Sequence, residues 1–270
     1  YTKQSEMKPC TQNLSIEVAI IGGGIAGLSA AQEFAKQGKK VALFEQYFCG
    51  SGATGKSSGF VTPNAELSLT DFAQKFNLDV AHQIWDLISS GVTNISNNII
   101  QNKLNCDFQI QDAFVLAAKK SDTATFTKEH ENLHKIGYES KLHDQHSIQS
   151  IVNSNQYFGA LQYSNSFSFN PCLYCQELKQ MLQSQAVLIF EQTPITKISN
   201  HHLTTPHATI TADIIVVCTD HNFAELQLLK DDVFHAQTFV MASEQVQEDQ
   251  IKNIFLNKNI VHKNIFVKKV

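Results

Sequence analysis

The run Val18-Ala19-Ile20-Ile21-Gly22-Gly23-Gly24-Ile25-Ala26-Gly27 decides the fold of this chain. Four apolar residues lead straight into three glycines, and apolar residues then recur at 25, 28, 31, 34 and 35, which is helical spacing over residues 25–37. Gly38 closes that helix, and residues 40–45 (Lys-Val-Ala-Leu-Phe-Glu) read as a second buried strand. Strand, glycine turn, helix and strand in this order predict a parallel βαβ unit of Rossmann type, hence an α/β fold. In Gly22-x-Gly24-x-x-Gly27 the first glycine allows a tight turn and the second lets backbone approach a diphosphate. The third lets the helix pack closely on the strand. The helix N-terminus at Ile25, Ala26 and Gly27 presents N–H groups and a partial positive charge to an anion. Glu45, followed by Gln46, stands at the offset of about 20 residues where a carboxylate meets an adenosine ribose. A bound dinucleotide is therefore predicted. The glycines leave FAD and NAD open; glutamate in place of aspartate leans to FAD.

Beyond Glu45, residues 49–63 are rich in Gly, Ser and Thr and end at Pro63, which predicts a functional loop leading into a helix. Residues 69–103 read as helical with Gly91 as an interruption, 112–118 as a strand, and 122–136 as a charged surface helix. A strand over 157–163 and a helix over 171–183, opened by Pro171, follow. Residues 187–190 and 214–218 are buried strand candidates, and 234–244 reads as extended. Residues 253–270 alternate Asn and Lys with Ile, Phe and Val and lack a cap or closing element.

Composition narrows the function classes. Hydrophobic residues make up 43% and charged residues 17% of the 270, which describes a cored globular protein long enough for two domains. The formal charge of −4 comes without a basic block, so neither nucleic acid nor an anionic membrane surface is implied. No apolar run approaches the roughly 20 residues that span a bilayer. Residues 1–14 are polar and do not read as a secretory signal, although Tyr1 in place of Met leaves room for a trimmed leader. Six scattered cysteines read as reduced thiols of a cytoplasmic protein. All 21 basic residues are lysine, so the planar fork that grips carboxylates and phosphates is absent. Together with abundant Asn, Gln and Ile, this reads as the coding bias of an AT-rich genome.

The stretch Gly52-Ala53-Thr54-Gly55-Lys56-Ser57-Ser58-Gly59-Phe60 resembles the second flavin-contacting loop of the FAD-dependent D-amino-acid oxidase superfamily, the group of glycine oxidase, sarcosine oxidase and γ-glutamylputrescine oxidoreductase. Members carry a Gly-Ala-Ser-Gly-Arg-Asn-Gly-Gly-like run there; Lys56 stands for the arginine and keeps the charge without the fork. More loosely, Phe158-Gly159-Ala160-Leu161 and Asn170-Pro171 are similar to the family's return from substrate domain to FAD domain. Gln192-Thr193-Pro194-Ile195 resembles the strand whose backbone meets the adenine. Residues 212–219, ending in Cys218-Thr219, resemble the strand near the dinucleotide, with Asp220-His221 where glycine is usual. Ala236-Gln237-Thr238-Phe239 resembles the start of the substrate-domain sheet.

The resemblance implies FAD as cofactor and an FAD-binding domain made of residues 14–63 and 158–233. A mainly antiparallel α+β substrate domain would come from 64–157 and 234–270. It implies oxidation of a C–N bond in an amino acid or secondary amine by hydride transfer to flavin, with a small-molecule substrate and no side chain acting as a strong base. The cofactor-contacting set is Gly22, Gly24, Ile25, Ala26, Gly27, Glu45, Gln46, Gly52, Ala53, Thr54, Gly55, Lys56, Ser57, Ser58, Gly59, Ile195, Cys218 and Thr219. Family members run on for about a hundred residues more, so the chain reads as a fragment, a truncated product, or a frameshifted reading whose tail begins near Asn253. An inactive flavin-fold remnant and an NAD-binding module stand as alternatives.

Other residues carry weaker signals. Cys172 and Cys175 have redox-motif spacing without a second pair, so buried structural thiols and no metal site are expected. Cys49 reads as a small loop residue in preference to a covalent flavin anchor. His201, His202 and His207 read as solvated loop histidines, and Trp85 as core.

Overall fold

The computed structural model describes residues 8–64, 67–220, 226, 228–229, 232, 239, 244, 246–255 and 267–269. Its elements begin with β1 (Leu14–Ile21), α1 (Ile25–Lys36), β2 (Val41–Phe44), β3 (Phe60–Val61), α2 (Leu69–Lys75) and α3 (Leu78–Asn102). Next come β4 (Gln109–Leu116), α4 (Asp122–Lys135), β5 (Ser140–Asp144), α5 (Gln145–Gln149), β6 (Gly159–Ser168) and α6 (Pro171–Ser184). The last are β7 (Leu188–Phe190), β8 (Lys197–Ser199), β9 (His202–Thr204), β10 (Thr209–Val217), α7 (Glu248–Ile254) and β11 (Val267–Lys269). The chain divides into two compact units, one of Tyr1–Ser58, Leu104–Asp107 and Asn170–Val240, the other of Gly59–Lys103, Phe108–Phe169 and Met241–Val270.

The first unit holds a six-stranded sheet in the order β7-β2-β1-β10-β9-β8. Its first four strands are parallel, and β9 and β8 close it as an antiparallel meander. Every residue of β2 and the last four of β1 are buried, as strands covered on both faces require. One face packs Ala19, Ile21, Ala42, Phe44, Ile210 and Ala212 with Leu203 of β9, and Phe44 stacks on Phe190 at 5.5 Å. Residues of opposite parity, such as Ile20, lie on the other face, where α1 crosses between β1 and β2.

The second unit is a mainly antiparallel sheet, β11-β4-β6-β3, with β5 also paired to β6 and only β11 running parallel. Helices α2, α3 and α4 cover the face bearing Ala113, Leu161 and Tyr163. On the other face Phe114, Leu116 and Ala160 meet Ile148, Ile151, Val152 and Phe255. The buried Glu129 carboxylate accepts from the first N–H groups of α2, Leu69 at 2.9 Å and Thr70 at 2.8 Å, which satisfies donors that the helix cannot.

Several expectations need correction. The helical stretch breaks at Phe76 and Asn77, where the Asn77 side chain caps α3 by accepting from Val80 N–H, and not at Gly91, which lies inside α3. The loop after Cys49 enters β3 before any helix, because residues 60–61 find β6 as a partner. The strand expected over 157–163 extends to Ser168 and pairs in the second sheet, so the first unit resumes at Asn170 and not at 158. Residues 192–195 are coil between β7 and β8, where Gln192 and Thr193 N–H donate to the Tyr47 and Glu45 carbonyls beyond the end of β2 without forming a regular ladder. Strand β10 begins earlier, at Thr209, and Ile214 is exposed, the buried residues of this strand being Ile210 and Ala212. The extended stretch expected over 234–244, including Ala236, Gln237 and Thr238, lies outside the described residues apart from Phe239 and Glu244. No described helix is long and apolar enough to cross a membrane, and no described cluster of His, Cys, Asp or Glu could hold a metal ion.

Candidate functional site

The glycine turn sits where the carboxyl ends of β1 and β10 meet the N-terminus of α1. Gly22 has φ +107, and a Cβ added there would fall 2.3 Å from the Cys218 carbonyl oxygen. At Gly27 an added Cβ would meet the Gly22 carbonyl oxygen at 1.9 Å. Only glycine lets the helix start this close to its strand. Within the first helical turn, Ala26 and Gly27 have no carbonyl partner upstream, so their N–H groups are available to an anion. Ile25 N–H is taken by the Thr54 hydroxyl at 3.1 Å. The second glycine-rich loop therefore caps the first helix from a distance. Thr54→Val is expected to cost about 1 kcal/mol in chemical denaturation, the usual effect of losing a helix cap.

Glu45 is buried at the end of β2 and uses both carboxylate oxygens on the backbone. Oε2 accepts from Gly23 N–H at 2.7 Å and Oε1 from Tyr47 N–H at 2.9 Å. The carboxylate thus fixes the shape of the glycine turn, while its remaining lone pairs can take a ribose hydroxyl. On the far side of the turn, Thr219 Oγ1 is buried without a hydrogen-bond partner. An orphaned hydroxyl beside backbone that no Cβ could enter is what a site built for a polar ligand shows. Asp220 follows in the left-handed region at φ +54, which aspartate tolerates, so the turn forms without glycine.

The second loop is rooted by side chains that sequence reading did not single out. Cys49 N–H donates to Glu191 Oε1 at 2.8 Å, and Gln176 Nε2 donates to the Cys49 carbonyl at 2.6 Å. Lys179 Nζ meets Glu191 Oε2 at 2.8 Å, with each side chain only 2% exposed. The signal was there in part: Lys179 sits on the apolar stripe of α6 with Tyr174, Cys175, Leu178 and Leu182, where a lysine needs a buried partner. The loop then turns back on itself, so that a Cβ on Gly55 would meet the Gly50 carbonyl at 1.9 Å.

Of the expected site residues, the structure brings together Gly22, Gly24, Ile25, Gly27, Glu45, Thr54, Cys218 and Thr219. Gln46, Gly52, Ala53, Lys56, Ser57 and Ser58 lie exposed along the same unit. Ile195 turns its side chain into the sheet's hydrophobic cluster, and Gly59 belongs to the second unit, where its carbonyl accepts from Phe169 N–H. Burial, then the adjacent Glu191 carboxylate, pushes the Cys49 thiol far up, so it is not a nucleophile at neutral pH. Burial likewise lifts the Cys175 thiol to about 12, and Cys172 and Cys175 are both free thiols, the first half-buried and the second buried.

Residues 17–266 match the family model described as DAO, FAD dependent oxidoreductase. The chain belongs to this family of FAD-dependent oxidoreductases, whose cofactor is FAD. The match continues to residue 266, past Asn253, where the sequence reading placed a departing tail. The probable oxidoreductase OrdL of Haemophilus influenzae is 26% identical over 266 residues, covering 93% of this chain and 61% of that protein. The γ-glutamylputrescine oxidoreductase of Escherichia coli is 23% identical over 262 residues, 93% of this chain and 60% of that protein. Glycine oxidase from Geobacillus kaustophilus superposes with a TM-score of 0.61 at 18% identity, over 76% of this chain and 55% of that one, and so shares the fold. The chain thus spans about three fifths of the length of these two curated relatives.

Proposed function

We propose that this chain holds FAD on its first unit and acts in oxidising a C–N bond of a small amino acid or secondary amine. The observation that carries the cofactor reading is the turn in which Gly22, Gly27 and Glu45 leave room for a diphosphate and a ribose, with the Thr219 hydroxyl unpartnered beside them. The amine reading is supported by the family and by relatives whose names give γ-glutamylputrescine and glycine as substrates. Bound FAD would supply the electron sink that accepts a hydride from the carbon bearing the nitrogen.

The protein's own part is positioning. The N–H groups of Ala26 and Gly27 and the dipole of α1 would hold the diphosphate, and Glu45 the ribose. Thr54, the exposed Lys56 and the neighbouring small residues of the second loop would meet the flavin side of the cofactor, and Cys218 and Thr219 its far edge. The unpaired thiols, four of them buried, fit a reducing, cytoplasmic setting.

Titration of the purified chain with FAD, followed by quenching of flavin fluorescence, is expected to show saturable binding. Glu45→Ala should weaken it about ten- to a hundredfold, the range of a charge-assisted hydrogen bond together with a loosened turn. Stronger retention of NAD than FAD by the folded chain would reject the cofactor assignment. With FAD bound, anaerobic bleaching of the flavin by glycine, N-methylglycine or γ-glutamylated diamines is the expected second result. A loaded protein that no amine or amino acid bleaches would reject C–N oxidation.

A further inference from the structure

The second unit contains a cavity of about 450 Å³, within the size range of small-molecule sites. Trp85, Tyr138 and Tyr163 supply aromatic surface to it. The ring centroids of Tyr138 and Tyr163 each lie 6.2 Å from that of Trp85, Tyr138 edge-on and Tyr163 tilted by 31°. Asp86 and Glu139 supply carboxylates, and no lysine lines the cavity among the described residues. Tyr138 hydroxyl donates to Asp86 Oδ1 at 2.8 Å, and His82 Nε2 approaches the same oxygen at 3.3 Å. Both contacts fall on Oδ1, so Oδ2 retains its lone pairs for a ligand. Trp85 is 1% exposed, and its Nε1 is buried with no hydrogen-bond partner. An indole N–H at such depth ordinarily finds an acceptor.

We infer that this cavity is a binding site for a small organic ammonium ion that also carries a hydrogen-bond acceptor. The charge of such a ligand is met by Asp86 and Glu139 and by aromatic faces, which attract cations through their quadrupoles. Its acceptor, a hydroxyl or carboxylate, satisfies the Trp85 N–H. An anion without an ammonium group meets two carboxylates and no lysine, and a neutral diol can donate to the carboxylates but leaves their charge uncompensated. The site lies wholly within the second unit and does not depend on the cofactor reading.

The test uses a reporter already in place, because Trp85 is the single tryptophan of the chain. Its emission is followed on titration with 4-aminobutanol, with 1,4-butanediol and 4-hydroxybutyrate as uncharged and anionic counterparts, and binding is checked by calorimetry. A saturable change with 4-aminobutanol, and none with the counterparts, is expected. Asp86→Asn and Glu139→Gln, at two positions on the exposed side of the cavity, should each weaken binding about tenfold or more while leaving the circular dichroism spectrum unchanged. Absence of a saturable response in the folded protein, an equal response to all three compounds, or variants that bind as well as the parent would overturn the inference.

Discussion

Gly27→Ala should abolish FAD binding and destabilise the first unit by about 3 kcal/mol or more, the upper part of the range for overpacking a filled site. The added methyl group would lie 1.9 Å from the Gly22 carbonyl oxygen and 3.4 Å from Ile20 Cγ2. Neither neighbour can yield cheaply. The Gly22 carbonyl belongs to the turn that Glu45 fixes through Gly23, and Ile20 is fully buried in the central strand. The start of α1 must therefore lift away from β1, taking with it the N–H groups proposed to hold the diphosphate. Flavin fluorescence and denaturant titration report the two effects separately. A variant that binds FAD like the parent would show that the helix does not need this close approach. By contrast, Gly38→Ala, at φ +75, meets nothing within 4 Å and should cost only the backbone strain.

Lys179→Met should be the other severe substitution, costing about 3–5 kcal/mol, the usual effect of removing one partner of a buried ion pair. It leaves the Glu191 carboxylate uncompensated at 2% exposure, still accepting from Cys49 N–H but with its second oxygen bare. Because Glu191 and Gln176 together root the second loop, the loss should reach that loop, and with it the proposed flavin contact, as well as global stability. Adding Glu191→Gln removes the stranded charge and keeps an acceptor for Cys49. The double variant is therefore expected to recover much of the loss in a denaturation experiment. A double variant no more stable than Lys179→Met would mean that the lysine's packing, and not its charge, is what matters.

The parts of this molecule that were legible in sequence are those whose determinants are contiguous. Residues 18–45 carry strand, turn, helix and strand within one window, and the structure follows them nearly residue by residue. Gly91 misled because glycine costs only about 1 kcal/mol in a helix. Burial of Trp85, Val92 and Ile99 along α3 outweighs that, while Asn77, a good cap, sets the true boundary. Strands β8 and β9 are three residues each and polar outside Ile198 and Leu203, so no alternation announces them; they exist because the edge of β10 accepts β9 and β9 in turn accepts β8. The glycines, Glu45 and Thr54 were named from the sequence, yet their roles are partly different. Glu45 and Thr54 hold the backbone of the cradle itself. The Lys179–Glu191 pair joins a helix to a segment 12 residues on and then to a loop 142 residues back, and nothing local encodes the second step.

The position of β1 also governs how the protein is made. This strand is the middle of the parallel sheet, yet one flank pairs with β2, close by in the chain, and the other with β10. The contact between Thr209 N–H and the Asn13 side chain at the mouth of that second pairing joins residues 196 positions apart. On a ribosome moving at about 5–20 residues per second, the N-terminal unit of strand, helix and strand waits roughly 10–40 s for its partner to emerge. During that interval one edge of an apolar strand has no neighbour to complete it, and the part of the second unit that lies between, Gly59–Lys103 and Phe108–Phe169, is made first. Synthesis of this protein thus imposes a period of dependence on whatever shields nascent chains, set by topology and not by the strength of any single contact.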